Sequence, residues 1–142
     1  MRYDVLVPFT IADPFGNVQC AGNLQNRVVK SKLTGEYHFY YRIRNTWGVG
    51  GIGGIATSSF GDVSHFVAFR IDGLGTVHPL FVRHTPVPGE IEFSGLNVDC
   101  RKHQESQFIL IKRPWTTTAY AGGVTRIFSS NGYEVSVPTV QP

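Results

Sequence analysis

One run of ten residues limits what this chain can become. Over residues 36–45, Tyr37, Phe39, Tyr41 and Ile43 fall on one side, and His38, Tyr40, Arg42 and Arg44 on the other. A helix would scatter these side chains around its circumference, whereas a strand sends alternate residues to opposite faces. Residues 2–9 repeat the pattern with Tyr3, Val5, Val7 and Phe9, and Pro8 marks an edge strand or a strand end. Further strands are expected at residues 27–33, 55–60, 65–72, 79–85, 90–93, 106–112, 124–129 and 133–137. Residues 13–26, rich in Gly, Asn and Gln, read as a loop, and residues 48–54 as a flexible Gly-rich segment.

Turn signals stand between these runs at Asp72-Gly73, Pro88-Gly89, Gly122-Gly123 and Asn131-Gly132. Asn-Gly between two apolar runs predicts a two-residue hairpin loop. Sixteen Gly and eight Pro leave no room for long helices, and only residues 116–120 suggest one helical turn. The expectation is an all-β chain, a single antiparallel β-sandwich over residues 1–142, with jelly-roll and immunoglobulin-like topologies both open.

Apolar residues make up 42% and charged residues 16%, a balance that supports a packed core rather than a disordered chain. The net charge is only +3, and the nearest thing to a basic cluster, Arg42, Arg44 and, much later, Arg101, Lys102, Lys112 and Arg113, reads as a solvated strand face rather than a track for phosphates. No nucleic-acid partner is expected. No apolar run approaches the roughly 20 residues of a bilayer span, so no membrane insertion is expected. The opening Met1-Arg2-Tyr3-Asp4 lacks signal-peptide character, so an exported chain would be represented here by its mature part.

Cys20 and Cys100 are the two cysteines. They fit either a disulfide or two buried thiols; if joined, they would close a loop of about 80 residues and stabilise the fold by roughly 4 kcal/mol. Two cysteines alone do not make a zinc site.

Gly48, Gly50 and Gly53 match the spacing of a dinucleotide-binding loop, but the residues that follow favour a strand where that motif needs a helix. His38, His65, His78, His84 and His103 show no metal-ligand spacing and read as ordinary hydrogen-bonded or solvent-facing histidines. Asp13, Asn17 and Asp62 carry oxygens suited to calcium, yet turn formation accounts for them without an EF-hand pattern. Glu90 and Glu92 share a strand face at the spacing of an acid pair, where surface solubility is the simpler explanation. No Ser sits in a nucleophile elbow. The chain is therefore read as a non-enzyme without cofactor or metal. Trp47 and Trp115, beside Gly-rich and Thr-rich segments, are the candidate residues for meeting a partner or stacking on a sugar, although core or rim packing is the commoner role of such side chains.

Several segments resemble domains of bacterial exported proteins of the PEP-CTERM type: residues 39–45, residues 66–75, the run 107–112 with its Thr-rich continuation to Tyr120, and the tail 135–138. The resemblance spans residues 37–142. The Pro-Glu-Pro motif, apolar anchor and basic terminus of that group's sorting signal do not occur in the sequence. The resemblance implies an exported protein with a surface or matrix role and transfers no site residue. The expected function is a structural or adhesive domain, extracellular or on a cell surface, acting through self-association or a protein partner. A virion or other assembly subunit and a carbohydrate-binding module are the alternatives.

Overall fold

A computed structural model describes residues 3–33, 35, 37–57, 66–69, 75, 77, 79–84, 90–112 and 121–141. Ten strands follow in chain order: β1 Tyr3–Ala12, β2 Val18–Lys30, β3 Tyr37–Trp47, β4 Gly51–Thr57, β5 Phe66–Phe69, β6 Phe81–His84, β7 Ile91–Asp99, β8 Ile109–Lys112, β9 Ala121–Ser129 and β10 Glu134–Gln141. A short 3₁₀ turn, Cys100–Lys102, follows β7. Each strand expected from the sequence overlaps one of these ten. The helical turn expected at residues 116–120 lies outside the described residues, as do the Asp72-Gly73 and Pro88-Gly89 turns.

The strands form two five-stranded sheets, ordered β1-β2-β3-β8-β5 and β10-β9-β4-β7-β6, and every strand pair is antiparallel. The alternating residues of the sequence meet between them. Phe9, Ile11, Leu24, Val28, Phe39, Tyr41 and Ile43 from the first sheet pack over Ile52, Ile55, Phe93, Val98, Ile127 and Val137 from the second. Tyr41 is fully buried, and burial alone pushes its hydroxyl pKa well up. Pro8 lies within an edge strand, the first of the two readings open for it, and Pro138 lies on β10, an edge strand of the second sheet. Each thereby removes a donor where no central ladder depends on it.

Setting aside β1 and the antiparallel pair β6–β7, the order becomes β2-β3-β8-β5 over β10-β9-β4. That is the A-B-E-D and G-F-C arrangement of an immunoglobulin-type sandwich, which decides between the two topologies left open above. The β3–β4 and β9–β10 connections are then the B–C and F–G loops, at one end of the sandwich.

Three sequence expectations are corrected. The polar stretch 13–26 is mostly strand, since β2 begins at Val18 and pairs along its length with β1. Its amides serve as side-chain hydrogen-bond partners: Gln25 donates to Asp4 at 2.9 Å and accepts from Arg44 at 3.2 Å. The Gly-rich segment 48–54 is only partly a loop, because Gly51–Thr57 is β4, the central strand of the second sheet. A Cβ on Gly51 would lie 2.5 Å from the Val98 carbonyl oxygen, and one on Gly54 2.5 Å from that of Phe93. These glycines permit close backbone approach rather than looseness. Gly122-Gly123 lies within β9 and is not a turn.

Candidate functional site

The end of the sandwich that gathers the β1–β2 turn, the β3–β4 loop, the 3₁₀ turn and the β9–β10 turn is built from backbone geometry upward. In the β1–β2 turn, one Asp13 carboxylate oxygen accepts the amides of Phe15 and Asn17, both at 2.9 Å, while the other accepts the Asn17 side chain at 3.1 Å. Burial pulls the Asp13 pKa upward, but these hydrogen bonds together outweigh it and hold the carboxyl below its ordinary value. Asp13 and Asn17 thus act as turn formers, as the sequence suggested. The Asn131-Gly132 signal gives a hairpin, with three residues rather than two between Ser129 and Tyr133. Ser129 N donates to the Tyr133 carbonyl at 2.7 Å, and Gly132 takes a φ of +97°.

Two bulges shape this end. In β3, Asn45 and Thr46 together oppose Gly22, and Asn45 adopts a left-handed φ of +56°. A Cβ on Gly22 would fall 2.6 Å from the Arg44 carbonyl oxygen, so the bulge needs glycine opposite it. The extra residue reverses the alternation. Thr46 turns inward at 1% exposure, and Trp47 turns outward at 49%. In β7, Gly95, Leu96 and Asn97 interrupt the pairing with β4, and Asn97 takes a φ of +52°.

Backbone hydrogen bonds then tie the loops together. Val49 and Gly50 donate to the carbonyls of Val18 and Gln19, Cys100 donates to Gly50, and Ser130 donates to Gly51. Asn131 donates from its side chain to that of Gln19 at 2.8 Å. Cys20 of β2 and Cys100 form a disulfide with α-carbons 5.7 Å apart, which chooses between the two states left open by the sequence. It joins the first sheet to the turn that follows a strand of the second, whereas antibody domains bridge strands B and F. His103, the left-handed cap of the 3₁₀ turn, donates from Nδ1 to the Thr46 carbonyl at 2.6 Å.

Three large apolar side chains project into solvent from this laced end: Phe15 at 90% exposure, Val49 at 64% and Trp47. Beside Val49 lies an open cleft of about 320 Å³, lined also by Gly50, Gly51, Asn97, Val98, Asp99, Arg101 and Ser130. Asp99 accepts the Arg101 amide at 3.0 Å and faces its guanidinium at 3.4 Å. The Arg101 hydrogen bond is the main reason the Asp99 carboxyl is held below its ordinary value. None of Asn97, Asp99, Arg101 and Ser130 stood out as a ligand contact in the sequence. The available signal was the Gly95–Asn97 interruption of an apolar run, which marks a bulge.

Trp115, His65, His78 and Asp62 lie outside the described residues. Among the described residues, no three His, Cys, Asp or Glu side chains converge on a point where a metal ion could sit. Gly48, Gly50 and Gly53 do not precede a helix, since β4 follows the first two and contains the third.

The charged groups read from the sequence as solvated are largely paired. Arg42 is 5% exposed; it donates to Glu105 at 2.8 Å and to the Ser106 carbonyl at 2.9 Å, and its guanidinium stands over Phe108. Arg27 also makes a cation–π contact with Phe108, 4.8 Å from the ring centre, and bonds Asp4 at 3.1 Å. Glu90 is buried and grips Arg126 through both carboxylate oxygens at 2.6 and 2.9 Å, while Glu92 bonds Arg83 at 2.6 Å. The Glu90 hydrogen bond is the main cause of the raised Arg126 pKa. The two glutamates are thus held in separate ion pairs, which corrects their reading as plain surface carboxylates.

Fold and loop arrangement define an immunoglobulin-like β-sandwich. A solved structure agrees: an uncharacterized protein from Nocardia farcinica, described as having an immunoglobulin-like fold, is similar to this chain with a TM-score of 0.52 and 11% identity over 80% of this chain and 81% of that one. No protein-family model matches the chain, and no curated protein sequence matches it.

Proposed function

We propose that this chain is a non-catalytic structural or adhesive domain, displayed outside the cell or on its surface, that docks onto protein through its laced end, copies of itself included. The observation that carries the reading is the exposure of Phe15, Trp47 and Val49 on loops already fixed by hydrogen bonds and a disulfide. Apolar groups held out in water gain by association, and a preordered surface loses little conformational freedom when it binds. The Cys20–Cys100 bond supports an oxidising setting, where disulfides persist. The resemblance of residues 37–142 to exported PEP-CTERM-type domains points the same way.

The test is solution mass by light scattering after size-exclusion chromatography, without reductant and across a concentration series. The wild type is expected to associate as concentration rises, and the double variant Phe15→Ser with Trp47→Ser to remain monomeric. A wild type that is monomeric at every concentration removes self-association from this reading. Association that survives the double variant removes the laced end as the surface.

A further inference from the structure

We propose that the cleft beside Val49 binds a neutral sugar, accommodating one pyranose ring of a glycan. The inference goes beyond protein docking and rests on the polar lining of the cleft, Asn97, Asp99, Arg101 and Ser130, with Val49 common to both surfaces and Phe15 and Trp47 outside it.

At about 320 Å³ the cleft is at the small end of ligand sites, open to solvent and formed by three separate segments: the β3–β4 loop, the β7 bulge with its 3₁₀ turn, and the β9–β10 turn. Gly51 sets the clearance between two of its walls. A Cβ there would lie 2.5 Å from the Val98 carbonyl oxygen and 3.1 Å from Ser130 Oγ.

The chemistry of the lining follows. The Asn97 amide offers a donor and an acceptor side by side, the Asp99–Arg101 pair does the same on a larger scale, and Ser130 adds a hydroxyl. Neighbouring hydroxyls on a sugar ring present the complementary pattern, each able to donate and accept. Asn97 and Ser130 are exposed, and neither side chain is engaged by a hydrogen bond among the described residues. Charge decides between a sugar and an anion. Arg101 is already faced by Asp99 at 3.4 Å, so the cleft presents a matched pair rather than a bare cation.

The left-handed backbone of Asn97 supplies a clean variant. Asn97→Gly removes the amide while keeping a residue at home at a φ of +52°. Ser130→Ala is the second, on an exposed turn. The experiment is a two-dimensional amide NMR titration of the full, disulfide-bonded chain with the methyl pyranosides of glucose, galactose, mannose and N-acetylglucosamine, and separately with sodium sulfate.

At least one pyranoside is expected to shift the amides of Val49, Asn97, Arg101 and Ser130. Asn97→Gly and Ser130→Ala should each weaken that binding about three- to tenfold, the effect of one lost hydrogen bond. Shifts from none of the four sugars, shifts located elsewhere, or shifts at Arg101 from sulfate alone would each overturn the proposal. The Phe15→Ser and Trp47→Ser double variant should still bind sugar, so the failure of protein docking and the failure of sugar binding are read separately.

Discussion

The outer faces of the two sheets and the laced end draw on the same residue types and use them differently. On the first sheet, Asp4, Arg27, Phe108, Arg42 and Glu105 form a continuous chain of ion pairs and cation–π contacts. On the second, Glu90, Arg126 and Glu134 do the same around Phe128. These arginines and carboxylates answer one another within the fold. At the laced end the order is reversed. Backbone hydrogen bonds and the disulfide hold the loops, which leaves Asn97, Ser130, Phe15, Trp47 and Val49 facing outward. The lesson is that polar side chains become available to a partner where the backbone and a covalent link already hold the structure.

The largest expected effect comes from breaking that covalent link. Cys20→Ala with Cys100→Ala should destabilise the domain by about 4 kcal/mol, because the bond closes a loop of 80 residues in the unfolded chain. Denaturant unfolding measures it, and an unchanged midpoint would show that the loops hold without the bond. The ion pairs on the face of the second sheet come next. Glu90→Ala leaves Arg126, one-third exposed, without its bidentate partner and should lose about 2 kcal/mol. Glu92→Ala releases Arg83, which is already two-thirds exposed, and should lose less than about 1 kcal/mol. Equal losses on the same unfolding assay would contradict the distinction drawn between the two glutamates.

The smallest effect is in pH. Asp13 and Asp99 both have carboxyls held below their ordinary value. A depressed folded-state pKa contributes stability that is present above the unfolded value and lost as pH falls through the folded one. The laced end should therefore loosen only below about pH 4. Carboxyl NMR titration of the two residues checks this, and a midpoint at or above that value for either would count against its hydrogen-bond assignment.

Much of the fold was legible along the chain, and the reasons for the gaps are specific. The period-two runs gave ten strands because a sheet buried on one face writes its pattern into alternate residues. The part of β2 before Arg27 escaped because its amides answer Asp4 and Arg44 from other strands and Asn131 from a turn, partners that the local pattern does not reveal. The start of β4 escaped because its glycines answer backbone contacts with Val98 and Phe93. Trp47 was identified as a candidate contact, but its outward direction depends on one extra residue at Asn45 and Thr46.

What the sequence determined by itself is the all-β sandwich character and the hairpin at Asn131-Gly132, since these follow from side-chain period and from the backbone freedom of Gly. The tertiary structure alone decided the strand order, the joining of Cys20 to Cys100 across 80 residues, the burial of Arg42 and Glu90, and the convergence of Val49, Asn97, Arg101 and Ser130 on one cleft. Each of those depends on groups far apart in the chain meeting across a sheet or between sheets, and a local pattern carries no record of which distant group will stand opposite.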